Sequence, residues 1–300
     1  MQTIVVGGSG MIGSAIQRRV IKQEKTESFT FSYYTNKSQI LRGLESLHLD
    51  LFDKDSIRQL EGFHNAIYLA GNTDHALASK DPAKDVQLNV EAFLNFMKFF
   101  KGALVLFSSQ AVYYGYEGSV KEDAVQKPTI PYGISRHGAE MYAEYFKHVG
   151  KLRSLVILRP TYVFGQGEKK RRLIPRCAQA TIIDSTVKVF GKGQSFLNPL
   201  PVEFIAQVAV KFSEVVANNE WATAINLNYT NPITVLDIVQ TLQKVKSFKC
   251  VVEDGGEEWP AKHYGDSTRL LGLLKEWNME MPDVKTELKR YFMELVGEKK

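Results

Sequence analysis

The sequence predicts an α/β fold, in which a Rossmann-type doubly wound parallel sheet carries a smaller α/β C-terminal lobe. Two observations predict this fold. Short apolar, β-branched runs alternate with helical segments through the first half of the chain, as in a parallel sheet covered on both faces. A glycine-rich turn also follows the first apolar run directly. Because crossovers between parallel strands are right-handed, the alternation gives a doubly wound sheet.

The first half of the chain supplies the elements of this sheet. We predict strands at 3–8, 29–34, 47–50, 65–71, 103–109 and 154–160. Helical patterns lie between them at 11–23, 53–60, 82–101 and 131–149. These segments define a first domain over residues 1–160.

The pattern loosens after Pro160, because glycine, proline and basic residues dominate 165–201. Helices are predicted near 202–217, 233–246 and 283–296, and short strands near 187–190, 224–228 and 249–253. We assign residues 161–300 to a smaller lobe. No flexible linker separates the two parts, so we expect them to interleave partly.

Composition restricts the class of protein. The hydrophobic content of 44% and the charged content of 24% are ordinary for a globular chain. Cys177 and Cys250 are isolated, so the sequence predicts neither a disulfide framework nor a metal cluster, and both thiols fit the reducing cytoplasm. We find no signal-peptide pattern and no apolar run near the ~20 residues that span a bilayer. We therefore expect a cytoplasmic protein that binds no membrane.

The net charge of +5 is mild, and its densest basic run is "KKRRLIPR" at 169–176. Such a run can attract phosphates, but it is more often a solvated loop face. It has no interleaved aromatic residues, and the chain has no zinc-ligand spacing. Nucleic-acid binding is therefore disfavoured.

The turn "GGSGMIG" places Gly7, Gly10 and Gly13 after the first strand and at the head of a helix. Glycines permit the tight turn, the close approach of backbone to a pyrophosphate, and tight packing of helix on strand. The helix N-terminus then favours the phosphate charge. This strand–turn–helix context predicts that domain 1–160 binds a dinucleotide, the alternative being a glycine-rich turn without a ligand.

Several further motifs follow in order along nearly the whole chain. They are "HLDLFD", "IYLAGNT", "NVEAFLNFM", "LFSSQAVYYG", "PYGISR", "ILRPTYVFGQG" and "INLNYTNPITVLDIV". Their order, with the GxxGxxG turn, resembles the extended branch of the short-chain dehydrogenase/reductase superfamily. That branch contains NAD(P)-dependent sugar-nucleotide epimerases, dehydratases and reductases. The resemblance implies an NAD(P)-dependent oxidoreductase that transfers a hydride to or from a sugar substrate.

The resemblance also implies which residues hold the cofactor. They are Gly7, Ser9, Gly10, Met11, Ile12, Tyr33, Thr35, Asn36, Lys37, Asp50, Leu51, Leu69, Ala70, Gly71, Asn89, Tyr132, Arg136, Pro160 and Val163. An acid at the end of the second strand would bind a ribose 2′-hydroxyl and repel a 2′-phosphate. The segment "FSYYTNKS" at 31–38 has no acid but carries hydroxyls, an amide and a lysine. We therefore favour NADP over NAD.

Ser109, Tyr132 and Arg136 stand where the family has its Ser or Thr, Tyr and Lys. The resemblance implies that the tyrosine exchanges a proton with a substrate oxygen, the serine hydrogen-bonds that oxygen, and the cation holds the nicotinamide ribose. A positive charge about 4 Å from a phenolate stabilises it by ~4 kcal/mol at an effective dielectric of ~20. Arginine supplies that charge with a different shape from lysine. Three outcomes stay open: Arg136 does the work, the cofactor binds without fast chemistry, or another lysine reaches in.

The substrate expected from the resemblance is a sugar, most simply a sugar nucleotide. The family's diphosphate-binding arginine is missing from "GKGQSFLNPLPV" at 191–202. The diphosphate anchor is therefore either absent or moved to Arg171, Arg172, Arg176 or Arg269. We predict substrate contacts at Asn72, Gln110, Arg171 and Arg172. The apolar surplus of helices 82–101 and 131–149 suggests a homodimer, as in the family's four-helix interface, or packing under a C-terminal segment.

Three functions remain open on the sequence. The first is NADP(H)-dependent reduction of a keto-sugar, which the missing strand-two acid favours. The second is an NAD-dependent sugar-nucleotide epimerase or dehydratase. The third is a non-catalytic dinucleotide sensor or scaffold, which the YxxxR substitution supports.

Overall fold

The computed structural model describes residues 2–256 and 261–297. Its strands, in chain order, are β1 (Thr3–Val6), β2 (Phe29–Tyr33), β3 (Glu45–His48), β4 (Asn65–Tyr68), β5 (Gly102–Phe107), β6 (Gly118–Val120), β7 (Leu152–Pro160), β8 (Val163–Phe164), β9 (Thr186–Val189), β10 (Leu200–Pro201), β11 (Ala222–Leu227), β12 (Lys249–Val252) and β13 (His263–Gly265). Its α-helices are α1 (Met11–Lys22), α2 (Lys54–Arg58), α3 (His75–Lys80), α4 (Pro82–Val86), α5 (Ala92–Phe99), α6 (Pro131–His148), α7 (Leu173–Ile183), α8 (Val202–Asn218), α9 (Val235–Gln243), α10 (Thr268–Glu276) and α11 (Val284–Leu295).

Seven of the strands form one parallel sheet in the order β11-β7-β5-β4-β1-β2-β3. The order reverses direction between β1 and β4, as in a doubly wound fold, and this position is where such sheets bind ligands. The predicted Rossmann-type fold is confirmed. All six strands predicted before residue 160 lie in this sheet.

The seventh strand lies elsewhere than predicted. We had placed the strand near 224–228 in the C-terminal lobe, but β11 extends the main sheet beside β7, with Ile225 opposite Leu158. Ile225 and Leu227 are fully buried there. A local apolar pattern predicts a strand but does not name its neighbour, so the pairing could not be predicted from the pattern.

Alternate residues of the strands face two different cores, as the two-residue period of a strand requires. Val5, Ile67 and Val105 face the larger core, which includes residues of α1, α8 and the lobe. Their neighbours Ile4 and Leu104 face the second core, which includes residues of α5 and α6. Both faces of the sheet are therefore covered.

The segment predicted as one helix over 82–101 consists of two helices and a wider turn. Pro82 begins α4, and the Asp81 carboxylate caps it by accepting from the Lys84 backbone N–H. A π-helical turn over Gln87–Glu91 joins α4 to α5, which ends at Phe99. Such turns are common at functional sites.

The lobe contains helices that the sequence pattern did not predict. Helix α7 falls within 165–201, which we had described only as loose and rich in Gly, Pro and basic residues. Its buried face, made by Ile174, Cys177 and Ala178, has helical spacing. Basic residues and Pro175 near its start obscured that pattern. Helices α3 and α10 were also not predicted.

Small parallel strand pairs complete the lobe, with β9 beside β12, β10 beside β8 and β13 beside β6. Along the described part of the chain, no helix combines the length and apolarity that crossing a membrane requires. The domain boundary at residue 160 stays a prediction, since the main sheet draws strands from both sides of it.

Candidate active site

The glycine turn joins β1 to α1 with its backbone held close to neighbouring chain. Gly7 has a φ of +84°, which favours glycine, and a Cβ there would lie 3.1 Å from the Ala70 nitrogen. A Cβ on Gly13 would lie 2.3 Å from the Gly8 oxygen. The Gly7 N–H donates to the Ser32 hydroxyl at 2.9 Å. The turn therefore needs its glycines and is anchored to β2.

Gln17 connects this turn to the loop after β2. Its side-chain amide donates to the Gly8 and Gln39 carbonyls at 2.8 and 3.1 Å, and its oxygen accepts from the Leu41 N–H at 2.7 Å. Gln17 is completely buried. Sequence reasoning missed it, although a polar residue on the buried face of α1 was a usable signal.

A cavity of about 680 Å³ opens beside the glycine turn at the carboxyl ends of the central strands. Its size falls in the range of ligand sites. The predicted residues that line it are Gly7, Gly10, Met11, Ile12, Leu69, Gly71, Ser109, Tyr132, Arg136, Pro160, Val163, Arg171 and Arg172. We call it the cofactor cavity. It brings the glycine turn and the Ser–Tyr–Arg set to one place.

Tyr132 and Arg136 lie one turn apart on α6, and both are buried. The Arg136 guanidinium lies 5.3 Å from the centre of the Tyr132 ring. One of its terminal nitrogens donates to the Asn72 carbonyl, and the other to the Phe107 carbonyl at 3.4 Å. These carbonyls follow β4 and end β5, so the cation is fixed to the edge of the sheet. It points into the protein rather than into solvent.

Gly71 leaves room for this arrangement. Its φ is +134°, and a Cβ there would lie 2.5 Å from the Asn89 side-chain oxygen and 3.3 Å from Arg136. The Asn89 oxygen accepts from the Asn72 N–H at 2.8 Å. The loop after β4 is therefore held against both α6 and the π-helical turn.

A buried carboxylate, Asp85, supports the same loop. It accepts hydrogen bonds from Asn72 at 2.7 Å, from Asn89 at 2.9 Å and from the Ser135 hydroxyl at 2.6 Å. Ser135 lies between Tyr132 and Arg136 on α6. This network fixes α6 relative to the strand ends, and the sequence analysis did not identify Asp85 or Ser135.

Ser109 ends the segment after β5 and caps a short 3₁₀ turn. Its hydroxyl oxygen accepts from the Ala111 N–H at 3.1 Å. The hydroxyl proton is therefore free to donate into the cavity, which Ser109 lines beside Tyr132. A donor at this position can hydrogen-bond a substrate oxygen.

A second cavity of about 520 Å³ adjoins the first on the lobe side. His75, Ser109, Thr161 and Arg172 line both cavities. The lobe contributes cationic and aromatic side chains to the second cavity: Arg176, Lys188, Phe190, Phe196 and His263. No Asp or Glu is among its described lining residues. We call it the substrate cavity.

Comparison with known proteins agrees with this geometry. The model of the NAD dependent epimerase/dehydratase family matches residues 3–220. The chain belongs to this family. A dTDP-D-glucose 4,6-dehydratase from Dictyostelium discoideum is 21% identical over 267 residues, which cover 80% of this chain and 61% of that protein. The chain thus spans less than two thirds of that relative's length.

Solved structures of epimerases share the fold over the full chain. A UDP-N-acetylglucosamine 4-epimerase from Methanobrevibacter ruminantium M1 superposes with a TM-score of 0.82 at 20% identity, covering 99% of both chains. A UDP-glucuronic acid 4-epimerase from Bacillus cereus, solved with UDP-glucuronic acid and NAD, gives 0.85 at 18% identity, covering 98% of this chain and 99% of that one.

The remaining predicted cofactor residues lie outside the lining of the cofactor cavity. Ser9 is in the glycine turn, and the others follow the carboxyl ends of β2, β3 and β4 or lie in the π-helical turn: Tyr33, Thr35, Asn36, Lys37, Asp50, Leu51, Ala70 and Asn89. Their contact with cofactor stays a prediction.

The strand-two end is aromatic and basic rather than acidic. The His48 ring lies 5.5 Å from the Tyr33 ring and 6.2 Å from the Tyr34 ring. The Lys37 ammonium lies 5.8 Å from the centre of the Tyr33 ring. No carboxylate takes part in this cluster. His48 was not among the predicted residues.

The four predicted substrate residues have different surroundings. Arg171 pairs with Asp74 at 2.7 Å across the cofactor cavity, and the Arg172 guanidinium stacks 4.0 Å from the Tyr162 ring centre. Asn72 is buried in the Asp85 network. The Gln110 side chain lines the substrate cavity but bonds Asn228 and the Gly265 N–H. Their contact with substrate stays a prediction.

The residues present fit a dinucleotide cofactor. Gly7, Gly10 and Gly13 of the glycine turn line the cofactor cavity, and the turn leads into the N-terminus of the 12-residue helix α1. Helix N-termini favour phosphate charge. Within the described residues, no group of three or more His, Cys, Asp or Glu could hold a metal ion.

Proposed function

We propose that this chain catalyses reversible oxidation of a sugar carbon in a nucleotide-linked sugar, using a bound NAD or NADP. The observation that carries the proposal is the Ser109–Tyr132–Arg136 set in the wall of a cavity that begins at the glycine turn. When bound, the dinucleotide would supply hydride-transfer chemistry at the sugar carbon. The protein must then bind both molecules and manage the proton of the sugar hydroxyl.

Tyr132 accepts that proton at its phenolic oxygen and returns it. The fixed charge of Arg136 favours the phenolate, because arginine stays protonated at every physiological pH. Ser109 donates to the same sugar oxygen. The two carbonyl bonds of Arg136 keep the guanidinium beside Tyr132, so the cation needs no reorganisation during the reaction. This geometry favours an enzyme over a non-catalytic sensor.

Epimerisation is the reaction that the cavity supports best. Eliminating water from a sugar requires a second acid and base beside the tyrosine. The described lining residues include one carboxylate, Asp74, and it is paired with Arg171. Epimerisation needs only one acid–base group, because the proton and hydride both return to the substrate. The two solved structures compared above are 4-epimerases.

Net reduction of a keto-sugar is the second candidate. The end of β2 carries Tyr33, Asn36 and Lys37 instead of an acid, and this composition favours a 2′-phosphate. NADP is the cofactor of reductive reactions in which the reduced form is consumed. We therefore propose NADP binding at least as tight as NAD binding.

The substrate cavity supports an anionic substrate. Arg172, Arg176 and Lys188 line it, and Phe190 and Phe196 supply aromatic walls. Arg176 forms no ion pair with any described residue, whereas Lys188 pairs with Glu253 at 3.0 Å. A diphosphate and a base fit cationic and aromatic surfaces of this kind.

We also propose a homodimer through α6. Ile134, Met141, Tyr142 and Tyr145 are exposed along one face of this helix, at helical spacing. Such a row of apolar side chains marks a contact surface. Sedimentation of the wild type and of Met141→Glu should give a dimer and a monomer, respectively.

The test of the function is product analysis with UDP-sugars and either cofactor. Epimerisation gives a new sugar isomer with no net change in cofactor, and reduction consumes one reduced cofactor per sugar. Tyr132→Phe should abolish both while cofactor affinity changes by no more than about threefold. Normal turnover by Tyr132→Phe would exclude the tyrosine as the acid–base group.

A further inference from the structure

One titratable side chain, His75, lies where the cofactor and substrate cavities meet. It lines both cavities. Its ring centre is 4.4 Å from the centre of the Tyr132 ring, with the planes 31° apart. His75 is also solvent-exposed, as the first residue of α3. His75 therefore stacks on the Tyr132 ring at a position that is open to solvent.

Arg136 cannot exchange protons with Tyr132. A guanidinium is not deprotonated in proteins, whereas an ammonium can shift its pKa and titrate. Arg136 can therefore stabilise a phenolate but cannot give it a proton or accept one. A proton that passes between Tyr132 and solvent therefore does not pass through Arg136.

The other titratable groups that line the cavities are less suited to this exchange. Asp74 is paired with Arg171, and the arginine keeps the pKa of this carboxyl low despite some desolvation. His263 is buried with its Nε2 on the Gln110 carbonyl at 3.0 Å. The remaining ones are two tyrosines, Tyr114 and Tyr162, and the cations Lys169, Arg171, Arg172, Arg176 and Lys188. Burial raises the pKa of Tyr162 well above its usual value.

The surroundings of His75 keep its imidazole neutral at pH 7. Desolvation by the surrounding protein lowers the pKa of His75 most, and Arg136 and Arg172 lower it further. Asp74 and Asp85 act in the opposite direction without reversing the shift. The Tyr132 and Tyr114 rings pack against it. A neutral imidazole has a lone pair that can accept a proton.

We propose that His75 carries protons between the Tyr132 phenol and solvent, a role that depends on the proposed function of Tyr132. During sugar oxidation the hydroxyl proton passes to the Tyr132 oxygen, from there to a His75 ring nitrogen, and then to water. The C–H electron pair leaves as hydride to the nicotinamide, and the O–H pair becomes the second bond of the carbonyl. Reduction reverses each transfer.

This relay changes what the site can do. Epimerisation returns the proton to the sugar and does not need solvent exchange. Net reduction takes one proton from water in every turnover. The relay therefore makes the site competent for keto-sugar reduction as well as for epimerisation.

The experiment is a stopped-flow single turnover of the cofactor-loaded protein with UDP-glucose as the sugar probe and a pH-indicator dye. Nicotinamide absorbance reports hydride transfer, and the dye reports the proton. In His75→Phe, which keeps the ring stacked on Tyr132, we expect hydride transfer within about threefold of wild type and proton release slowed about tenfold or more. His64→Phe, at an exposed histidine outside both cavities, is the control.

Two further measurements separate a relay from a structural role. First, imidazole added to His75→Ala should restore the proton-release rate. Second, NMR of the cofactor-free protein should show that Tyr132→Phe alters the titration of His75. Proton release in His75→Phe that matches wild type would overturn the relay, and so would an unchanged His75 titration in Tyr132→Phe. Normal hydride transfer by Tyr132→Phe would instead refute the proposed function.

Discussion

The two cavities are constructed in different ways from the same chain. Short segments that follow the parallel strands β1, β4, β5 and β7 supply much of the lining of the cofactor cavity. The substrate cavity takes side chains from α7, β9, the segment before β10, and β13, which are far apart in sequence. A site made of strand ends is fixed by the sheet, whereas a site made of dispersed side chains can change residue by residue. Under the proposed function, the strand ends supply the groups for the chemistry, and the lobe side chains select the substrate.

Dinucleotide binding in the cofactor cavity should be lost when one methyl group is added to the glycine turn. A Cβ on Gly13 would lie 2.3 Å from the Gly8 carbonyl oxygen, so Gly13→Ala forces α1 away from the turn. We expect loss of dinucleotide binding by about 100-fold or more, measured by calorimetric titration. Gly272→Ala, in helix α10 with no atom within 4 Å of the new Cβ, is the matched control. It should leave binding intact and raise stability by about 0.5–1 kcal/mol.

His263, which lines the substrate cavity, should lower the free energy of unfolding as the pH falls. Burial lowers the pKa of His263 from 6.5 to about 4. The unfolded chain therefore binds a proton between pH 6.5 and 4 that the folded chain does not, and stability falls as the pH falls through this window. Between pH 7 and 5 this group should cost the fold ~2 kcal/mol.

His263→Gln keeps a donor for the Gln110 carbonyl and removes the titration. Urea unfolding at both pH values should show a smaller difference for this variant than for wild type. His148→Gln, at an exposed histidine, should behave as wild type. Equal pH dependence in all three proteins would show that His263 is not the responsible group.

Substrate affinity should depend on Arg176 more than on the other cations of the basic run at 169–176. Arg176 lines the substrate cavity and pairs with no described carboxylate, so Arg176→Gln should raise the KM for a UDP-sugar about tenfold, or ~1.4 kcal/mol. Lys170→Gln removes a charge from the same basic run, at a residue that lines neither cavity. An equal KM increase in both variants would mean that only overall charge matters.

Much of the cofactor half could be predicted from the sequence, because its motifs are local. The turn containing Gly7, the helix pair Tyr132 and Arg136, and the strand preceding Ser109 each lie within a few residues of their signal. The contacts of Arg136 with the Asn72 and Phe107 carbonyls join three elements, and no local pattern encodes them.

The lobe was less predictable because its structure depends on contacts between residues that are distant in sequence. Helix α7 and the partner of β11 depend on tertiary packing rather than on composition. His75 and Asp85 belong to a segment whose helices are short, so periodicity gave no signal for them. Both residues act through neighbours that are distant in sequence, such as Tyr132 and Ser135.

The smallest expected effect concerns the choice between the two dinucleotides. Lys37 is exposed at the strand-two end, so Lys37→Ala should weaken NADPH binding about fivefold, or ~1 kcal/mol, and leave NADH binding unchanged. Separate titrations with the two reduced cofactors measure this difference. Equal losses for both would place Lys37 away from the 2′-phosphate.

The central claim is that a fixed guanidinium allows Tyr132 to exchange a proton beside the bound dinucleotide. The most direct measurement is the single-turnover rate of hydride transfer in Arg136→Lys and Arg136→Met, with cofactor affinity and thermal midpoint recorded for each. We predict that Arg136→Lys keeps the rate within about tenfold, whereas Arg136→Met, which keeps the bulk but not the charge, loses about 100-fold or more. A wild-type rate in a folded, cofactor-binding Arg136→Met protein would contradict the account.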